Sequence, residues 1–431
     1  MMSQFLISLL TILVIVHILL VACAYLIFLE RKVAAWTQDR IGPNRVNLTF
    51  GQADLLERFG LGRIAKAKMF GLGQALADGI KLLLKEDYSP PHVDRILFTL
   101  APALVVIPAL LGWAVIPWGG YLEMPAWTVP NWVPMIGGWS QPAAVVSVAA
   151  APISIGVIYI LAIGSIAVYG VVLGAYASNN KYAFLGGLRA TAQMLSYEIP
   201  MGISVLVMIL LYRTSDAGVM AVLQATGAEG ASWGILSMPL LAVIFFTCIL
   251  AECNRAPFDL AEAEQELVGG FHTEYSSMKW ALFFLGEYMH MVTGAAFFAV
   301  LFLGGWDLLP FVGALPVVGG PVLVLLKFGI FAGKVTLLLF IMMWIRWTLP
   351  RLRFDQLMRL AWRGLIPVTI TVMLLTGFMV FLGIQQWWWY GIANVVVAVG
   401  AAAIAPLLPS DGVNRRIRLA GSRFSGLEEA V

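Results

Sequence analysis

The sequence predicts an all-α polytopic membrane protein, with about 8–9 transmembrane helices and amphipathic helices on the cytoplasmic side. Three observations predict it. Of the 431 residues, 60% are hydrophobic and 12% charged, whereas soluble domains average about 25% charged. Apolar runs of bilayer-crossing length recur from end to end. The longest stretch between them, 30–95, is only 66 residues and itself partly amphipathic, too little for a soluble catalytic domain.

A bilayer core of ~30 Å needs about 20 apolar helical residues, and nine segments approach that: 5–28, 96–117, 153–175, 198–213, 236–251, 279–303, 322–345, 365–385 and 388–408. The first has no basic leading segment or small-residue cleavage site and runs into Glu30-Arg31-Lys32, so it reads as a retained span. The fourth and fifth are short, and Glu198 and Pro200 stand at the head of the fourth. The sixth contains Glu287 and His290, neighbours on a helix at i, i+3. Lys327 and Lys334 share one face of the seventh. For the ninth, Trp387, Trp388, Trp389 and Tyr390 form an aromatic belt; a second reading ends the eighth span there and leaves 391–408 as a surface helix.

Lys and Arg gather in alternate connections: eleven in 30–95, two in 176–197, two in 252–279, five in 346–364 and four in the tail. Cations near span ends are retained on the cytoplasmic side, so the N-terminus is expected outside, in the periplasm, and these connections inside. The net charge of +3 says little about partners. Nothing resembles a nucleic-acid patch, a Walker loop or a G-x-G-x-x-G turn. Cys23, Cys248 and Cys253 lack C-x-x-C spacing, so neither an iron–sulfur cluster nor another metal site is expected.

Segment 252–274 carries Glu252, Asp259, Glu262, Glu264, Glu266 and Glu274 against one cation, Arg255. A solvated acidic loop is the plain reading. However, Glu252 closes an apolar run and Glu287 lies eight residues into the next span, so the acids continue into the membrane at both ends. Carboxylates in hydrocarbon cost several kcal/mol and usually line a water path or proton relay. Glu198, His290, Lys327 and Lys334 extend the same polar pathway, although each alone also fits a satisfied structural pair. The inner cations, Arg31, Lys32, Arg40, Lys81, Arg255 and the run Arg346–Arg353, with Asp78 and aromatic Phe258 and Phe354, suit an amphiphile with a polar head. Anionic lipid bound by the same arginines is the alternative.

The motifs are more specific than the pattern. Glu30-Arg31-Lys32, Gln38-Asp39-Arg40-Ile41-Gly42-Pro43-Asn44-Arg45 and Ala77-Asp78-Gly79-Ile80-Lys81 resemble the first cytoplasmic loop of the H subunit of NADH-quinone oxidoreductase, respiratory complex I. Ala251-Glu252-Cys253-Asn254-Arg255-Ala256-Pro257-Phe258-Asp259, continuing through Glu262, Glu264 and Glu266 to Glu274, and then Gly286-Glu287-Tyr288 and Arg346-Trp347-Thr348-Leu349-Pro350-Arg351, resemble the same family. The similarity runs over 1–385.

The resemblance implies a non-redox membrane subunit of a proton-translocating enzyme of the translocase class. It implies a quinone substrate, ubiquinone or menaquinone, and no FMN, iron–sulfur cluster or metal on this chain. Glu30, Arg31, Arg40, Asp78, Lys81, Arg255, Phe258, Asp259, Arg346 and Arg351 are then expected at the quinone cavity. Glu198, Glu252, Glu262, Glu264, Glu266, Glu274 and Glu287 are expected along the proton pathway. Implied partners are the peripheral-arm iron–sulfur and quinone-site subunits, the antiporter-like and small membrane-arm subunits, and lipid, in a bacterial-type inner membrane.

Two features depart from the family. An insertion at about 46–70 lengthens the first cytoplasmic loop at the expected tunnel mouth. A C-terminal extension, 386–431, holds the candidate ninth span and a basic tail, for which packing against a neighbouring subunit is expected. Rival readings are the equivalent subunit of a membrane-bound hydrogenase or other-donor dehydrogenase, a stand-alone cation or proton transporter, and a structural anchor.

Overall fold

The computed structural model describes residues 2–44, 46, 71–128, 140–227, 230–260, 268–310 and 315–404. Glu262, Glu264, Glu266, nearly all of the 46–70 insertion and the basic tail lie outside them.

Helix α1 (Met2–Thr37) is continuous over 36 residues, about 54 Å at 1.5 Å per residue. It therefore outruns the ~30 Å core and lifts Glu30 and Arg31 to one end of the bundle. Helix α2 (Gln74–Leu84) has no fully buried residue. Its Leu76, Ile80, Leu83 and Leu84 repeat at helical spacing and are exposed, the pattern of an amphipathic surface helix. Helices α3 (Arg95–Leu111), α4 (Gly156–Ala177) and α5 (Lys181–Tyr212) follow. Asp94 caps α3 by accepting from the Ile96 and Leu97 amides, and Asn180 caps α5 through the Tyr182 amide, satisfying donors the first turn leaves free.

Two short helices come next, α6 (Ala217–Thr226) and α7 (Gly234–Ser237), then α8 (Pro239–Glu252). Helices α9 (Ser277–Phe302) and α10 (Pro321–Thr348) are long. Helix α11 (Phe354–Arg359) runs through a π-helical turn, Leu360–Leu365, into α12 (Ile366–Phe381), and α13 (Trp387–Ile404) ends the described chain. Eight of these segments are long and apolar enough to cross a membrane.

Two expectations change. The fourth crossing is not short: α5 has 32 residues, because the polar turns before Glu198 remain helical, and Glu198 sits mid-helix. The fifth is shorter still. At 14 residues, α8 rises about 21 Å, and the non-helical backbone of Met238 (φ −134°, ψ 60°) separates it from α7.

Helix α3 packs chiefly on α4 and α9, α5 on α4, α8 and α12, and α1 on α9 and α10. Small residues allow the closest approach. A Cβ on Gly170 of α4 would lie 2.5 Å from Val105 of α3, and one on Gly286 of α9 would lie 2.6 Å from the same valine. Helix α13 packs on α7, α8 and α12, so the described part of the extension lies against its own chain rather than exclusively against a neighbour.

The connections gather at two ends. At one, β1 (Tyr121–Met124) pairs antiparallel with β4 (Ala144–Ser147) and parallel with β5 (Val318–Gly319), while β2 (Trp127–Thr128) pairs with β3 (Ser140–Gln141). Gln4 of α1 clamps the edge there, donating to the Ser147 carbonyl and accepting from its amide. At the cation-rich end, the Tyr88 amide donates to Ser276 Oγ, Asn180 to Glu274, and the Leu352 amide to the Pro257 carbonyl.

Candidate functional site

Four elements converge at the cation-rich end. Helix α1 supplies Glu30, the segment after α8 supplies Arg255, α9 supplies Glu287 and Tyr288, and the last turn of α10 supplies Arg346. The segment carrying Arg255 is held by Gln193 of α5, whose fully buried amide donates to the Ala251 and Phe258 carbonyls, each at 2.7 Å, and to Asn254 Oδ1 at 3.2 Å. Sequence reading missed Gln193. Its signal was an uncharged polar side chain in an otherwise buried helical stretch.

Arg255 Nη1 lies 2.9 Å from both Glu30 oxygens, and its Nε lies 2.5 Å from Glu287 Oε1. The guanidinium also stacks 4.3 Å above the Tyr288 ring, and the Tyr288 hydroxyl and Arg346 donate to Glu30. Arg255 is 4% exposed. Burial alone would disfavour its charge, but Glu287, Tyr288 and Glu30 outweigh that and hold the guanidinium above its usual range.

Glu30 is also a wall of a cavity of about 520 Å³, within the size range of small-molecule sites. Arg31, Arg40, Asp78, Lys81 and Arg346 line it too, with Trp280, Phe284, Tyr288 and Trp347 as aromatic walls. Asp78 is tied to Arg31 at 2.9 Å and accepts from Gln74 at 3.0 Å. A polar rim over aromatic walls suits an amphiphile with a compact polar head. Of the ten residues expected here, six line the cavity and Arg255 stands directly behind Glu30. Phe258, Asp259 and Arg351 are not among the lining: Phe258 packs on Tyr197, and Arg351 pairs with Asp259 at 2.6 Å, which closes the 349–353 turn onto the loop after α8.

Beyond Arg255 the acids continue inward. Glu287 and Glu252 line one narrow cavity of about 40 Å³, and Glu252 lines a second of about 30 Å³. Glu252 Oε1 lies 3.3 Å from where a Cβ on Gly164 of α4 would sit, and the next residue, Ser165, donates to Glu198 of α5. Glu30, Glu287, Glu252 and Glu198 thus succeed one another through the bundle. Glu274 is apart from them, bonded to Asn180 at 2.5 Å.

The lysines do not join this row. Lys327 donates to the Val317 carbonyl, and Lys334 donates to the carbonyls of Leu303, Gly305 and Asp307. Both hold the connection between α9 and α10 at the strand-bearing end, where backbone carbonyls need donors. Among the described residues no three His, Cys, Asp or Glu side chains gather as metal ligands.

A family model described as NADH dehydrogenase matches residues 10–377. The chain is 42% identical over 363 residues to the first H subunit of NADH-quinone oxidoreductase from Cytophaga hutchinsonii, covering 84% of this chain and 93% of that one. It is 42% identical to the first H subunit from Geobacter metallireducens (85% and 94% covered) and 41% identical to the H subunit from Leptospira biflexa (81% and 88%). The chain belongs to the family of NADH-quinone oxidoreductase H subunits. It is a multi-pass membrane subunit of complex I. Other subunits of that complex are its partners, and quinone fits as the substrate.

Proposed function

We propose that the cavity beside Glu30 receives the quinone headgroup, and that the row Glu30, Glu287, Glu252 and Glu198 couples quinone reduction to proton translocation. The observation that carries this reading is the double engagement of Glu30. One carboxylate is both a cavity wall and a partner of Arg255, whose other edge holds Glu287. Charge introduced at the headgroup therefore acts on the inner acids through one guanidinium.

Reduction of a quinone to a quinol takes up two electrons and two protons. Electrons come from the iron–sulfur subunits of the peripheral arm, and this chain carries no redox centre. Its residues position the headgroup through Arg31, Arg346 and Lys81 and answer the change in charge. At an effective dielectric of about 20, a unit charge ~8 Å away shifts a neighbouring site by about 2 kcal/mol. That equals about 1.5 pKa units, enough to move a proton between coupled carboxylates. The cation-rich end faces the peripheral arm, the N-terminus lies in the periplasm, and the membrane is a bacterial-type inner membrane. Arg351 and Asp259 support the cavity from behind, and Glu262, Glu264, Glu266 and Glu274 extend the acidic path toward the antiporter-like subunits.

The test uses the assembled complex. Glu30→Gln should raise the apparent KM for quinone and lower turnover by tenfold or more, since two guanidiniums lose a buried charged partner. Glu252→Gln should lower the protons translocated per NADH oxidised. Wild-type kinetics in the first or wild-type stoichiometry in the second refutes the corresponding half of the reading.

A further inference from the structure

The row of acids passes two narrow cavities, and Glu252 is the one carboxylate at their divide. The narrow cavity holding Glu287 and the one reaching Gly164 are separate spaces. Only two of the described residues line both: Glu252 and His290. Each cavity has room for a water, which needs about 10–15 Å³ and polar partners to stay. Val105, Val171 and Phe283 wall the first, and Ile160, Met201 and Phe297 wall the second. Polar partners at the divide are therefore few, and the imidazole is one of them.

The ring is built to serve both sides. His290 follows Glu287 by three residues on α9 and points inward from the same helix. Val105 of α3 walls the same cavity beside the ring. Nε2 is buried and has no hydrogen-bond partner among the described residues, an arrangement that costs about 1–3 kcal/mol unless water supplies one. The titratable groups facing these spaces besides His290 are Glu252, Cys253, Glu287 and His272.

We infer that His290 is a bridging residue, joining by hydrogen bonds the water-sized cavity at Glu287 to the one at Glu252 and Gly164, so that protons cross between them. A proton accepted from one cavity is matched by one released to the other, and the imidazole ends unchanged. This inference rests on the proposed proton role of the carboxylate row and adds a residue outside the acids to it.

The test measures protons translocated per NADH oxidised by the whole complex in sealed proteoliposomes, with assembly judged from the co-purifying subunits. His290→Leu, which keeps volume but cannot hydrogen-bond, should lower that ratio at least twofold. His290→Gln, which donates and accepts at similar reach, should recover at least half of the loss. A wild-type ratio in His290→Leu overturns the inference. So does a His290→Gln complex that assembles fully yet is as defective as His290→Leu, because the ring would then act by shape. Glu252→Gln run in parallel separates the two levels. Wild-type translocation there brings down the underlying proton reading, whereas loss there with a normal His290→Leu brings down the bridge alone.

Discussion

Replacing Arg255 by Met removes the one cation between two buried carboxylates. Glu30 keeps Arg346 and the Tyr288 hydroxyl, so the change falls mainly on Glu287, which loses a contact of 2.5 Å. Breaking a buried ion pair from one side costs about 3–5 kcal/mol. The alternative is to protonate the stranded acid: from an ordinary glutamate pKa of about 4.3, neutralising it at pH 7 costs about 3.7 kcal/mol. The two costs are similar, so protonation caps the penalty near 4 kcal/mol. Two consequences follow, lower thermal stability of the membrane arm and a row of acids no longer linked to the cavity. Arg255→Met with Glu287→Gln removes both partners and should recover stability, since apolar or neutral replacement of a whole buried pair is often harmless. The assay is thermal unfolding of the purified complex beside quinone reductase turnover. A double variant as unstable as the sum of its single changes would refute the reasoning, because the pair would then not be coupled.

Four further outcomes follow from the same geometry. Gly164→Leu should crowd the Glu252 carboxylate and slow proton translocation in an assembled complex, while Gly164→Ala, whose Cβ meets Oε1 at 3.3 Å, should be mild; equal effects would place the carboxylate elsewhere. Arg351→Met should cost about 1–3 kcal/mol, more than an exposed pair, since Arg351 is 38% exposed but the Asp259 carboxylate it leaves is only 11% exposed; a large rise in quinone KM would return the pair to the cavity. Deleting 50–68 should change the apparent quinone KM if the insertion guards the tunnel mouth, and unchanged kinetics would exclude that. Truncation after Gln386 should reduce the yield of assembled complex on native gels, with full yield arguing that α13 is dispensable.

Legibility in the sequence followed the reach of each physical signal. Glu252 and Glu287 were visible because an acid adjoining an apolar run is costly in a membrane. The link of Glu30 to Arg255 spans 225 positions, which no periodicity encodes, so only the family motifs placed both near one cavity. Phe258, Asp259 and Arg351 lie in those same motifs, yet they brace the loop rather than line the cavity, because motif membership does not reveal which way a side chain faces. Lys327 and Lys334 misled for the opposite reason. A lysine on a hydrophobic helix looks like a transport residue until the chain returns over it and presents its carbonyls.

The interruption at Met238 bears on how the chain is made. Helix α8 is too short to hold its place in lipid alone, and non-helical backbone at membrane depth is tolerated only under protein cover. Helix α13 supplies part of that cover: Asn394 donates to Met238 Sδ at 2.8 Å, and a Cβ on Gly391 would lie 2.9 Å from the Leu236 carbonyl. The fifth crossing is therefore finished by the last one. During synthesis it waits, incompletely sheltered, until about 150 further residues have left the ribosome, at ~5–20 residues per second, so that the middle of this protein completes its shelter only when α13 arrives.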